Sequence, residues 1–159
     1  MKTLLLYYSY GGNTHRVAQH MKEMLECDTA EIQTVTAYTG SYDSVVNQGQ
    51  QEVNAGFEPP IRPIERDLRN YDVVILGTPV WWYTFAPAVK TALSAQDWNG
   101  KIIYPFATNG GWIGHTFQDI EKACAGATVK KGLNILFEGN QMQMPMTGID
   151  RWLKQIKEA

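Results

Sequence analysis

A three-layer, doubly wound α/β fold around a parallel sheet follows from the order of apolar segments in the 159-residue chain. Short runs that are apolar at nearly every position alternate with longer stretches whose apolar residues recur at helical spacing. Alternation of that kind implies parallel strands joined by right-handed crossovers, with helices on both faces. Glycine-rich turns follow several of the apolar runs, where such sheets receive ligands. The length suits one domain over 1–159, since two would each have a thin core.

Thr3 to Tyr8 is apolar almost throughout and reads as the first buried strand. Thr14 to Glu26 carries Val17, Ala18, Met21, Met24 and Leu25 at helical spacing, which predicts the first helix. Ala30 to Thr36 alternates weakly and reads as a strand near a sheet edge. Tyr38 to Pro63, with Gly40, Gly49, Gly56, Pro59, Pro60 and Pro63, breaks the rhythm. It reads as a connector holding a helix near Tyr42 to Val53. Tyr71 to Leu76 is the clearest buried strand and ends at Gly77. Ala86 to Ala95 supplies a helix that tolerates Pro87 in its first turn. Lys101 to Ala107 is a strand, Thr116 to Ala125 a helix, Lys131 to Phe137 a strand and Thr147 to Lys157 a closing helix. Trp152 is expected in the core, Trp98 as a loop anchor, and His20 on the solvent face of its helix. Met142, Met144 and Met146 read as a loop packed under the last helix.

Fourteen Lys and Arg against sixteen Asp and Glu give a net charge of −2. That balance supplies no field to hold a polyanion, which sets nucleic acid aside. Hydrophobic residues, at 44%, exceed what a disordered chain carries. Cys27 and Cys124 are too few for a disulfide framework and belong to no CxxC or Cys/His pattern. They read as buried small hydrophobes in a cytoplasmic protein. The first apolar run is only a strand long, and no run reaches the ~20 residues of a membrane span. His15, His20 and His115 are too scattered for a metal site, and none is expected.

Three turns at strand ends offer chemistry. Ser9, Tyr10, Gly11, Gly12, Asn13 and Thr14 run directly into a helix. Two glycines allow close backbone approach, while hydroxyls, an amide and the helix start add donors, so the segment can cradle a phosphate. It can equally be a capped strand-to-helix turn. It has neither the Gly-Lys-Ser/Thr of a P-loop nor a GxGxxG string. The second turn, Gly77 to Phe85, contains Trp81, Trp82, Tyr83 and Phe85. Four rings in five positions suit a flat aromatic ligand, the alternative being that Trp81 and Trp82 pack as core. The third turn, Ala107 to His115, has three glycines that let backbone N–H and C=O groups reach a ring edge, or that simply make a loop.

Residues 7–18, 77–89 and 108–116 together resemble the flavodoxin-like proteins, most closely the short branch with a Pro-x-Trp-Trp loop. The likeness spans essentially the whole chain. It implies five parallel strands in the order 2-1-3-4-5 and non-covalently bound FMN. By position, it implies that Ser9, Tyr10, Gly11, Gly12, Asn13 and Thr14 hold the phosphate. Thr78, Pro79, Val80, Trp81, Trp82 and Tyr83 would flank the isoalloxazine and ribityl chain. Thr108, Asn109, Gly110, Gly111 and Trp112, with Gly114 and His115, would line the other edge. Tyr83 stands where relatives often have glycine.

With FMN in place the flavin carries the chemistry, and no acid–base pair is required. Low-potential carriers crowd acidic residues around the ring, because negative charge disfavours an anionic reduced flavin. Residues 79–95 and 107–118 contain no Asp or Glu, which argues against a strongly acidic, low-potential shuttle. Two functions remain: a carrier that docks on redox partner proteins, or an enzyme that takes hydride from NAD(P)H and reduces a small organic acceptor such as a quinone. The carrier is favoured because no second nucleotide-binding motif is present. A response-regulator receiver is excluded by the lack of acidic residues at Tyr7-Tyr8-Ser9 and Leu76-Gly77. A Cys-based phosphatase is excluded because Gln33 and Lys130 stand where Cys-x5-Arg needs arginine.

Overall fold

The computed structural model describes residues 1–159. β1 (Thr3–Tyr7) leads into α1 (Asn13–Leu25), followed by β2 (Asp28–Glu31) and α2 (Tyr42–Ala55). β3 (Val73–Trp81) turns back into the short β4 (Thr84–Phe85) ahead of α3 (Pro87–Ser94). β5 (Ile102–Asn109), α4 (Thr116–Ala123) and the short β6 (Thr128–Val129) come next. β7 (Leu133–Glu138), β8 (Gln141–Met142) and α5 (Met146–Lys157) close the chain.

The five parallel strands lie in the order β2-β1-β3-β5-β7, the arrangement that the resemblance implies. The sheet has eight strands rather than five. The additions β4, β6 and β8 are each two residues long, too short to leave an alternation in the sequence. β4 and β8 fold back antiparallel on the ends of β3 and β7. β3 therefore runs past Leu76 to Trp81: Gly77 to Pro79 stay paired with β5, while Val80 and Trp81 pair with β4. The second strand lies at 28–31, not 30–36. The Ile32 N–H still donates to the Tyr7 carbonyl at 2.7 Å, after which the chain leaves β1 and Thr34 bridges Ile61 of the connector.

Alternation along the strands builds two cores. Leu4, Leu6, Val74, Leu76 and Ile103 face α3 and α4, against Val89, Leu93 and Ile120. Leu5, Ile75, Phe106 and Ile135 face α1 and α5, against Val17, Met21, Ile149 and Leu153. Each such aliphatic side chain, fully buried, stabilises the fold by roughly 1.5–3 kcal/mol. Gly77 is required by this packing, since a Cβ there would lie 2.2 Å from the Phe106 ring.

Trp152 is buried as expected, and Trp98 is buried with its indole donating to the Leu93 carbonyl at 2.9 Å. His20 is not on a solvent face. It is half-buried between α1 and α5, where its Nε2 lies 2.6 Å from Asp150 Oδ1. Cys124 is buried, but Cys27 is only half-buried, one residue ahead of β2. Met142 and Met144 pack against the α1–α5 core, whereas Met146 is exposed in the first turn of α5.

Candidate functional site

The Ser9–Thr14 turn joins β1 to α1 through two left-handed glycines, Gly11 at φ 83° and Gly12 at φ 96°. A Cβ built on either would meet nothing within 4 Å, so the space above them is open and the glycines serve the backbone's shape. Gly12 is the N-cap of α1 and supplies no side-chain cap, and the N–H groups of Asn13 and Thr14, at the head of the helix beside that space, have no partner within the chain. Ser9 Oγ accepts from the His15 N–H at 3.0 Å, which keeps its own hydroxyl proton available. Thr14 is buried, and its hydroxyl meets that of Thr108 at 2.7 Å. Asn13 is engaged elsewhere: its amide donates to the Gly139 carbonyl at 3.0 Å, and its carbonyl accepts from Arg16. Arg16 also donates to the Asn140 carbonyl at 2.9 Å. The phosphate-type turn is thus tied to the β7–β8 hairpin.

The aromatic turn divides its residues. Thr78 is buried, accepting from the Ala86 N–H at 3.2 Å and donating to the Pro79 carbonyl at 2.8 Å, and so pins the β3–β4 return. Trp82 and Tyr83 reverse the chain at φ 51° and φ 70°, a left-handed backbone that non-glycine residues seldom adopt. Three contacts hold it. The Trp82 indole donates to the Val46 carbonyl at 2.9 Å, the Tyr83 carbonyl accepts from the His115 N–H at 2.9 Å, and Gly114 packs against Tyr83 so closely that a Cβ would lie 2.4 Å away. Backbone strain of this sort persists only where surroundings over-determine it, and it clusters at functional sites. Trp81 is half-buried among Tyr8, Tyr10 and Tyr38, with Gly49 beneath its ring.

These elements enclose a cavity of about 360 Å³ lined by Tyr10, Tyr42, Val45, Val46, Gly49, Val80, Trp81, Trp82, Tyr83, Asn109, Gly110 and Trp112. Eight of these twelve belong to the turns singled out from the sequence. The other four, Tyr42, Val45, Val46 and Gly49, come from α2, in the segment read as a connector. Their signal was a helix beginning at a Ser41 cap with a glycine on its buried face, but nothing local linked that face to Trp81. Asn109 shapes the third turn, its amide donating to Asn134 at 2.6 Å and its carbonyl accepting from the Gly111 N–H at 2.9 Å. Trp112 lines the cavity while remaining 70% exposed, and Gly114 and His115 support Tyr83 from outside it.

None of the twelve lining residues is charged. Asp119, one residue beyond the acid-free stretch 107–118, reaches the rim indirectly. Its carboxylate accepts from Thr84 at 2.6 Å and pairs with His115. Glu52 accepts from the Tyr38 hydroxyl at 2.6 Å. Burial first, and the Glu52 carboxylate second, push the Tyr38 phenol well above its ordinary value. Burial likewise raises Tyr8. Both phenols are therefore protonated at neutral pH.

An amide-lined glycine turn and an apolar aromatic slot, side by side at the carboxyl ends of parallel strands, define a binder of a phosphate-bearing planar cofactor. The flavodoxin family model matches residues 2–156, and the chain belongs to that family. Among solved structures, a Bacteroides eggerthii protein provisionally named a flavoprotein is 27% identical over 98% of both chains, with a TM-score of 0.82. A Lactobacillus acidophilus flavoprotein in complex with FMN is 21% identical over 95% of this chain and 97% of that one, with a TM-score of 0.76. Oxidised flavodoxin 2 from Bacillus cereus is 19% identical over 99% of both chains, with a TM-score of 0.62. The last two likenesses show the fold alone. No curated protein matches the chain.

Proposed function

We propose that this flavodoxin-family protein binds FMN without a covalent bond and works as an electron carrier. The supporting observation is the juxtaposition of two unlike surfaces. Gly11 and Gly12 present an open amide turn at the start of α1, and Tyr10 continues it into the aromatic cavity. The residues present fit the cofactor. The N–H groups heading α1 and the Ser9 hydroxyl suit a dianionic phosphate, while Trp81, Trp82, Tyr83 and Trp112 suit a planar ring. FMN, when bound, supplies the redox chemistry. The protein's part is to grip the phosphate, hold the ring plane, exclude water behind Trp81 and keep the surroundings free of charge.

One observation favours a second reading, a reductase that takes hydride from NAD(P)H. The uncharged lining and its exposed aromatic rim suit a neutral organic acceptor such as a quinone better than a charged docking partner. No helix is long and apolar enough to cross a membrane. The two free thiols, Cys27 and Cys124, support a reducing, cytoplasmic setting.

Anaerobic reductive titration of the FMN-saturated protein separates the readings. A carrier takes up electrons in two one-electron stages and leaves NADPH unoxidised. A reductase is bleached by NADPH in one stage and recovers its colour with quinone. Protein that leaves gel filtration colourless after FMN saturation, with no heat of binding, overturns both.

A further inference from the structure

A chain of rings leads from the cavity wall to Tyr38, a residue that the binding function does not use. Trp81 faces the cavity and touches Tyr38 edge-on, with ring centroids 4.9 Å apart. Tyr10 lies 5.8 Å from Trp81 and 6.3 Å from Tyr38. Tyr38 does not line the cavity. Its hydroxyl donates to Glu52 Oε1 at 2.6 Å, and the other oxygen of that carboxylate accepts from Gln48 at 2.8 Å. Oxidising a phenol is hard unless its proton leaves with the electron, and a hydrogen-bonded carboxylate is the acceptor that makes this feasible.

We propose that Tyr38 and Glu52 form a redox-active site that drains oxidising equivalents from the cavity through Trp81. A one-electron oxidant in the cavity, such as photoexcited FMN or an oxygen-centred radical, takes one electron from the Trp81 indole and leaves a radical cation. Tyr38 returns one electron to Trp81 and passes its phenolic proton to the Glu52 carboxylate. The products are neutral Trp81, a neutral tyrosyl radical at Tyr38 and a protonated Glu52, so charge and electrons balance. Refilling Trp81 from one ring away protects the cavity wall from covalent oxidation. The case in which photoexcited FMN is the oxidant rests on the FMN reading above; the site itself does not.

The test is flash oxidation followed by transient absorption and electron paramagnetic resonance, in two arms. One uses FMN-loaded protein. The other uses apoprotein with tris(bipyridine)ruthenium and persulfate, which needs no FMN, so that failure of flavin binding and failure of the relay are told apart. Wild type should show a tryptophan radical cation giving way to a neutral tyrosyl radical. In Tyr38→Phe that handover should be lost and covalent oxidation of Trp81, read by peptide mass spectrometry, should rise. Glu52→Gln, which keeps the side chain's size, should slow the handover and remove its dependence on solvent deuterium. Tyr104→Phe, on the opposite face of the sheet, should behave as wild type. An undiminished handover in Tyr38→Phe, or an unchanged rate in Glu52→Gln, overturns the proposal.

Discussion

Thr14 and Thr108, 94 positions apart, share a buried hydroxyl–hydroxyl hydrogen bond of 2.7 Å. It joins the head of α1 to the end of β5, and thereby the glycine turn to the ring-edge turn. Either hydroxyl can donate, and the one that accepts keeps its proton for a ligand.

A double-mutant cycle reads this bond directly. Thr14→Val alone strands the Thr108 hydroxyl in a buried site and should cost about 1–3 kcal/mol. Thr108→Val should do the same. Replacing both with valine removes both unsatisfied groups, so the double variant should be more stable than the sum of the single losses implies. Urea denaturation of the apoprotein measures this, and FMN calorimetry on the same variants should show weakened binding for Thr14→Val. Strictly additive losses would show that the two hydroxyls do not depend on one another.

Asp28 provides a pH-dependent counterpart far from the cavity. The Tyr71 hydroxyl donates to its carboxylate at 2.7 Å, with Arg66 at 3.9 Å. The Tyr71 hydrogen bond first, and the Arg66 charge further down, hold the Asp28 carboxyl below its ordinary value of 3.8. A depressed folded-state value means that the contribution is complete above the unfolded value and is lost as pH falls through the folded one. Wild type should therefore lose this increment only in acid, below about pH 4. In Tyr71→Phe the Asp28 titration, followed by NMR, should move back up toward the ordinary value, and the acid-side slope of stability should flatten. An Asp28 titration unmoved in Tyr71→Phe would remove the hydrogen bond as the cause.

Much of this was legible in the sequence because the informative residues are contiguous. Leu4 to Tyr8 and Val73 to Leu76 mark buried parallel strands, and Gly11-Gly12 ahead of a helix marks an anion-ready turn, without any knowledge of partners. What escaped depends on residues brought together from a distance. Gly49 of α2 packs under Trp81, and the Val46 carbonyl receives the Trp82 indole, yet no local pattern ties residues 42–49 to residues 81–82. His20 looked solvent-facing because its partner, Asp150, lies 130 positions away. Asp119 escaped a charge count because it reaches the rim through His115 and Thr84, not by its place in the sequence.

The two thiols should differ in reactivity. Burial pushes the Cys124 thiol up to about 12. Burial also raises Cys27, which is only half-buried. In exchange with a disulfide reagent the cysteine thiolate attacks a sulfur of the reagent, so at neutral pH Cys124 should stay unmodified in the native protein and Cys27 should react slowly. Both should react at once in denaturant, and Cys27→Ser should abolish the native reaction. A fast native reaction that survives in Cys27→Ser would place Cys124 in reach of solvent.

The Trp82–Tyr83 reversal allows stability and binding to be separated at adjacent positions. Tyr83 sits at φ 70°, and a left-handed backbone costs an L-residue roughly 1–2 kcal/mol. Tyr83→Gly relieves that strain while removing one wall of the cavity. The apoprotein should be at least as stable as wild type, since the relief offsets the ~0.5–1 kcal/mol that glycine's added chain entropy costs, and FMN should bind more weakly. Gly114→Ala acts the other way. It places a Cβ in the left-handed region at φ 56° and 2.4 Å from Tyr83, so the apoprotein should lose about 1–3 kcal/mol. Thermal unfolding of both apoproteins, beside FMN titration of both, decides the matter. If Tyr83→Gly loses stability as Gly114→Ala does, the Tyr83 ring is a packing element of the fold and its strained backbone is not maintained for a ligand.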